Sequence, residues 1–293
     1  MIGLYKTVYE CEVITPMFLR GGDNKTCDIR PPAIKGAMRF WFRAFSWKIQ
    51  EKMIREIEEI LFGGTNGEGR QAGQKSPFGI HVDIPGKIET ISVSPTPYKG
   101  SRGITDAIKP GVIFTVELYV LNNKTVWIEN QKLPGIQLLK MIDTYFERMA
   151  LFGGLGMRSR RGFGAFKITK KNGAAFSMNQ ILQTIEKPKD DFKFKFQTAY
   201  KCHRIGKKKF DDALKLVWFV GEKSHEIRQE YGRACDRSLG SALGMRLASP
   251  IIVSAIPGEG EKELKLIMTS VYSKEASADI QKKFMDMLDG KRY

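Results

Sequence analysis

Between Ile34 and Phe45 the chain carries two stripes at once. Ile34, Ala37, Met38, Trp41 and Phe45 recur at spacings of three and four, while Lys35, Arg39 and Arg43 recur at four. An α-helix places the two sets on separate faces, one apolar and one basic. Pro31-Pro32 marks the entry, because proline fits a helix's first turn. The pattern bends near Lys48–Lys52, resumes as MIREIEEILFG and stops at Gly63-Gly64. Such a helix must be covered on its apolar side, so the elements around it decide the fold.

Those elements come in a definite order. Residues 4–15 read as a strand ending at Pro16, and 18–32 as a loop rich in turn residues. After the helix, 63–77 has no apolar periodicity and reads as a mobile loop. Residues 78–94 and 111–121 read as strands, joined by a long connection at 95–110 that carries Lys99, Arg102 and Lys109. Helical spacing returns over 133–152, and a strand follows at about 164–169. Strand, helix, strand, strand, helix, strand is the βαββαβ order of a ferredoxin-like domain. Composition turns polar at 172–191, where a short helix fits 178–187. Strands at 192–201, 247–256 and 263–272, with helical spacing at 209–221 and 275–289, then give a second, less regular unit of related design. The expected fold is α+β: two tandem ferredoxin-like domains over 1–171 and 172–293.

Charge narrows the function. Lys and Arg number 48 against 32 Asp and Glu, a net +16, with an isoelectric point near 9.6. A folded chain with this excess attracts polyanions, nucleic acid first, and an acidic membrane surface or acidic protein second. No stretch reaches the apolar length of a membrane span, and the opening residues lack a signal segment. Four cysteines without a CxxC pair then fit a reduced, cytoplasmic protein.

Two constellations concentrate the charge. The first is the helix stripe, with Arg30 just ahead of it; a helix start also favours anions. The second is GGLGMRSRRGFG, where Gly153, Gly154, Gly156, Gly162 and Gly164 surround Arg158, Arg160, Arg161 and Phe163. Flexible backbone, guanidinium forks and an aromatic suit phosphates and a stacked base. It has no GxxxxGK[ST] and runs helix-to-strand, the reverse of nucleotide-binding loops. A tight turn with solvated arginines is the plain alternative. A looser basic region spans 200–246 and ends at Arg246.

Catalytic machinery is sparse. The chain has His81, His203 and His225, none in a metal-ligand spacing, so neither metal nor cofactor is expected. His203, near Tyr200, is the best general-base candidate for a metal-independent endoribonuclease, which would process guide RNA precursors. His81, in an expected strand, reads as packing.

Ile14-Thr15-Pro16, Gly21-Gly22, the run from Arg30 through Ala44 (RPPAIKGAMRFWFRA), Leu61-Phe62-Gly63 and the loop 153–164 together resemble the motifs of the CRISPR-associated RAMP superfamily. Within it they are most similar to the first Cmr subunit of type III-B effector complexes. The resemblance covers 14–164 and is general beyond 170. It implies tandem ferredoxin-like (RRM-like) domains, assembly with other Cmr subunits, and contact with guide RNA (crRNA) near its 3′ part and with target RNA. It also implies a subunit that does not cut. The RNA contacts it carries over are Lys35, Arg39, Arg43, Arg158, Arg160 and Arg161. The ring pairs with which RRM sheets stack bases are not visible in the sequence.

Overall fold

The structure, a computed structural model, describes residues 3–23, 25–64, 75–96, 103–128, 130–189, 192–241, 247–258 and 263–289. The first half contains β1 (Leu4–Val13), α1 (Pro31–Phe45), α2 (Glu51–Phe62), β2 (Phe78–Asp83), β3 (Thr90–Val93), β4 (Thr105–Ile108), β5 (Ile113–Leu121), β6 (Thr125–Ile128), β7 (Gln131–Pro134), α3 (Gly135–Phe152) and β8 (Phe166–Lys171). The second contains β9 (Ala174–Ala175), α4 (Met178–Gln183), β10 (Tyr200–Phe210), α5 (Ala213–Tyr231), α6 (Cys235–Leu239), β11 (Ile251–Pro257), β12 (Leu264–Val271) and α7 (Ala278–Leu288).

The fold is α+β with antiparallel sheets. The larger sheet runs β2-β5-β1-β8-β9 and the smaller β10-β12-β11. In the larger sheet, Tyr9, Cys11 and Val13 of β1 and Phe114, Val116, Leu118 and Val120 of β5 face inward, as the period of two requires. Helices α1 and α3 cover that inner face.

Both faces of the smaller sheet are covered. On β11, Ile252 and Ile256 join the core of α1 and α3, while Ile251, Val253 and Ala255 join a second core under α5 and α7. On β12, Ile267 and Val271 take the first side and Leu266 and Met268 the second. A strand buried on both faces has no solvent side to mark with polar residues, hence the near-continuous apolar runs IIVSAI and LIM. Helix α3 lies between the two sheets, and Met149, Ala150, Leu151 and Phe152 are all buried around its last turn. Each core draws on both halves, because Ile14, Phe18, Phe163 and Ala165 sit in the core under α5 and α7.

Several local expectations change. Residues 78–94 form two strands, since Pro85-Gly86 breaks the run and Gly86 is left-handed (φ 87°). The expected loop at 95–110 contains β4, which pairs with β3, and residues 97–102, with Lys99 and Arg102, lie outside the described residues. A β6–β7 hairpin, turning at left-handed Asn130, precedes α3 and delays its start to Gly135. Residues 192–199 are not a strand: Phe192 and Phe194 anchor on neighbouring rings, Thr198 is left-handed (φ 70°), and β10 begins at Tyr200. Of the expected mobile loop at 63–77, residues 65–74 lie outside the described residues. The four cysteines are free thiols.

Candidate nucleic-acid interface

Helix α1 presents its basic stripe where the sequence places it, but α2 answers part of it. Glu58 of α2 reaches Arg43 at 2.6 Å and Arg39 at 3.7 Å. Arg39 also donates to the carbonyls of Phe62 (3.0 Å) and Gly63, which closes the C-terminal end of α2. Lys35 stands over the Phe78 ring at 4.8 Å. Burial, and then the neighbouring Arg39, lower its pKa. More than a third of the Arg39 and Arg43 side chains stays exposed. No acid intervenes in the sequence of the stripe, so Glu58 is a partner that only the fold supplies.

The start of α1 is a poorer anion site than its sequence implied. Pro31 and Pro32 have no N–H, and the N–H groups of Ala33 and Ile34 both donate to the Arg30 carbonyl (3.0 and 3.3 Å). Arg30 itself keeps a buried Nε without a partner.

The glycine loop lies against this helix. A Cβ on Gly153 would stand 2.4 Å from the Trp41 indole nitrogen, and the Arg160 guanidinium lies 4.6 Å from the centre of the Phe40 ring. Burial lowers the Arg160 pKa, and the nearby Arg43 lowers it further. Arg39 and Arg43 thus share the Glu58 carboxylate, with Lys35 near Arg39 and Arg160 near Arg43.

Inside the loop the roles divide. Arg160 donates to the Ser249 carbonyl. Arg161 donates to Ser249 Oγ (3.0 Å) and to the carbonyls of Ile251 (3.3 Å) and Leu239, beside the Phe284 ring. Both arginines therefore tie the loop to the second half of the chain, and the expectation of three free guanidiniums is corrected. Arg158 differs. It is exposed, its backbone is left-handed (φ 64°), and its guanidinium has no partner among the described residues. Met157 beside it is 48% exposed.

The expected phosphate cradle of backbone N–H groups is also corrected. Leu155 donates to Gly164, Met157 to Phe18, Gly162 to Val253 and Gly164 to Pro16, each at 2.8–3.0 Å. The glycines serve close packing within the chain: a Cβ on Gly156 (φ 84°) would lie 2.1 Å from the Phe18 carbonyl oxygen, and one on Gly164 (φ 69°) 2.0 Å from that of Leu155. A Cβ on Gly154 would likewise lie 2.7 Å from the Gly164 carbonyl oxygen, while Gly162 is set by its left-handed backbone (φ 85°). Phe163 is 2% exposed and packs on Phe18 at 5.1 Å, so it offers no ring to a base. Arg246 lies outside the described residues.

Other surfaces compete poorly for a polyanion. The open face of the larger sheet carries the pairs Lys6–Glu117, Lys167–Glu12 and Lys170–Glu10 where stacking rings would have to stand. A concavity of about 1120 Å³ opens beside Phe210, Trp218 and Phe219; of its lining lysines, Lys215, Lys223 and Lys283 are paired with Asp211, Glu226 and Glu230, and Lys208 stands over the Phe219 ring at 3.8 Å. His203 Nδ1 and the Tyr200 hydroxyl lie 2.6 Å apart, but Tyr200 is fully buried. Burial, with Lys187 adding to it, lowers the His203 pKa to about 4, far from that of a base at neutral pH. His81 is exposed on β2 and does not pack inward. Among the described residues, no group of three His, Cys, Asp or Glu is placed to hold a metal, and no helix is long and apolar enough to cross a membrane.

Sequence comparison places this geometry in a family. The model of the RAMP superfamily matches residues 10–167, more than half of the chain. The chain belongs to the RAMP superfamily. This RAMP protein is 34% identical over 70 residues to Cmr subunit Cmr1-2 of the Pyrococcus furiosus CRISPR system, a stretch covering 23% of this chain and 37% of the relative. It is 28% identical over 154 residues to Cmr1-1 of the same organism, covering 49% and 41%. The matched part is thus about two fifths of the length of these curated relatives. Its fold is similar to the crystal structure of apo Cmr1 from Pyrococcus furiosus (TM-score 0.58, 19% identity, 98% of this chain and 96% of that one). It is also similar to a chain in the type III-B Cmr-beta complex bound to cognate target RNA (TM-score 0.60, 11% identity, 97% and 98%).

Proposed function

We propose that this RAMP protein is a non-catalytic RNA-binding subunit of a type III-B Cmr complex. In this reading it contacts guide RNA near its 3′ part and the paired target, beside other Cmr subunits in the cytoplasm. The observation that carries it is the row of Lys35, Arg39 and Arg43, in which Arg39 and Arg43 share the Glu58 carboxylate and Arg160 lies near Arg43, with Arg158, whose guanidinium has no partner among the described residues, on the adjoining loop. In an RNA-guided complex base pairing reads the sequence, so a protein subunit needs backbone contacts and shape more than base recognition. A cationic cluster without a stacking platform suits that division of labour. The names of the curated relatives and of the fold neighbours support the same assignment. The order β2-β5-β1-β8 supports reading residues 1–171 as a ferredoxin-like domain, and β10-β12-β11 with α5 and α7 supports a second, less complete one over 172–293.

Changing Lys35, Arg43 and Arg158 together to glutamine tests this function. Three lost phosphate contacts should lower the slope of log Kobs against log salt by about 2, at about 0.7 per contact on a single strand. An unchanged affinity and slope would overturn it. The endoribonuclease reading gains nothing from the buried Tyr200 or from a histidine that stays neutral down to about pH 4.

A further inference from the structure

The two halves differ in how their sheets end. In the larger sheet the strands β1, β2, β5 and β8 are laid out as β2-β5-β1-β8, so β8 pairs with β1 on the side away from β5. The second half repeats this plan as far as it goes. Apart from the short α6, β10, α5, β11, β12 and α7 follow the order of a βαββαβ unit. They are laid out as β11-β12-β10, with β10 in the place of β1, β12 of β5 and β11 of β2. No described strand stands in the place of β8, so β10 ends the sheet with a bare edge.

The hydrogen bonds of β12 show which groups face that edge. The Val271 N–H donates to the Pro250 carbonyl (2.9 Å), on the β11 side. A middle strand serves its two neighbours in alternation, so Ser270 and Met268 turn to β10 and bond their register partners Cys202 and Arg204. His203 and Ile205 therefore aim their N–H and C=O groups outward, and no described backbone group meets them there. Beyond Ile205 a register shift bulges the strand, and Asp289 after α7 accepts from the Lys207 N–H at 2.7 Å. The bare edge thus runs from Tyr200 to Ile205, about 20 Å. Ile205 is 38% exposed on it. The opposite edge, on β11, is closed: Gly162 N–H donates to the Val253 carbonyl (2.8 Å) and Val253 N–H to that of Arg160 (3.2 Å).

We propose that the edge of β10, through His203 and Ile205, takes an extended segment of a neighbouring protein subunit as a fourth strand. A strand edge presents donors and acceptors in alternation, and another main chain supplies both. RNA phosphates offer only acceptors and would leave the His203 and Ile205 carbonyls unanswered. A second copy of this chain fits poorly, because pairing β10 with itself brings Lys201, Lys207 and Lys208 towards their own copies. The matching segment is apolar where it meets Ile205 and acidic where it meets those lysines. That its owner is a Cmr subunit rests on the function proposed above.

Residue-resolved amide hydrogen exchange tests this on the full-length chain, free and within a reconstituted type III-B complex carrying guide RNA. In the free chain the Cys202 and Arg204 amides should be protected, and those of His203 and Ile205 should exchange nearly as fast as in an unfolded chain. In the complex both of the latter should slow at least tenfold. Ile205→Pro removes an outward N–H that β12 does not use, so the variant should keep its melting temperature and join the complex about tenfold more weakly. Should that variant fold poorly, the exchange pattern of the wild type still decides. Slow exchange at His203 and Ile205 in the free chain overturns the inference. So does fast exchange at both within the complex, and the proposed function then stands, because the chain has joined. If both amides slow with guide RNA alone, the edge faces RNA and the inference is overturned. If the chain joins no complex, both readings fall.

Discussion

Arg158→Gly should weaken RNA binding while leaving the fold intact or slightly more stable. The residue is left-handed at φ 64°, exposed and without a side-chain partner. A non-glycine residue in that conformation costs about 1–2 kcal/mol, and glycine gives back roughly 0.5–1 kcal/mol through its looser unfolded chain. The net gain is about 0.5–1 kcal/mol. At about 2.1 cal/mol/K of unfolding entropy per residue, a chain of 293 residues gains roughly 1–2 °C in melting temperature. The lost guanidinium removes one phosphate contact, so the salt slope falls by about 0.7, worth about fourfold in affinity at 0.15 M salt. Thermal melts and anisotropy titrations of a labelled guide-length RNA at several salt concentrations read both quantities. An unchanged slope would refute Arg158 as a contact. A fall in melting temperature would refute the assignment of strain.

Arg161→Met should do the reverse, lowering stability by about 2–3 kcal/mol, since charge-assisted hydrogen bonds are lost but the Leu239 and Ile251 carbonyls keep second donors in Arg228 and Ser249. Its salt slope should stay at the wild-type value, and a lowered slope with an unchanged melt would contradict the structural role. His203 has a folded pKa of about 4 against its usual 6.5, so between those values the unfolded chain takes up a proton that the folded chain refuses. Stability should fall as pH drops from about 6.5 towards 4. Comparing melts of wild type and His203→Gln across that window checks it, and parallel pH profiles would count against it. Residues 1–171 expressed alone should lack a cooperative melt and bind a hydrophobic dye, because Ile252, Ile256, Ile267 and Val271 cover part of their core. A sharp two-state transition from that fragment would contradict the shared core.

The helices with one apolar face were legible in sequence, because α1, α2 and α7 leave solvent-facing residues to mark the period. In the first half β1, β2, β5 and β8 followed from punctuation by proline and glycine, whereas β4, β6 and β7 did not. The smaller sheet was harder to bound. Its aromatic lead-in at 192–199 alternates like a strand, yet the alternation comes from rings seated on Trp47 and Tyr272. At the site, the glycine loop lies against α1. The sequence could not say which arginines were taken, since the carbonyls of Leu239, Ser249 and Ile251 are far along the chain. Glu58 escaped notice for the same reason.

Helix α3 has a bearing on how the protein is made. Its sheet-facing side can be covered once β8 has emerged from the ribosome, but its other side waits for β11, about a hundred residues after Phe152. At 5–20 residues per second that is roughly 5–20 s during which the side of α3 that meets β11 lacks that cover, although Trp41 and Phe45 already shield Phe152. Arg160 and Arg161 wait equally long for the carbonyls that will hold them. The nascent chain therefore carries a sticky helix and loose guanidiniums side by side, a combination that invites chaperones and stray RNA until the second half arrives.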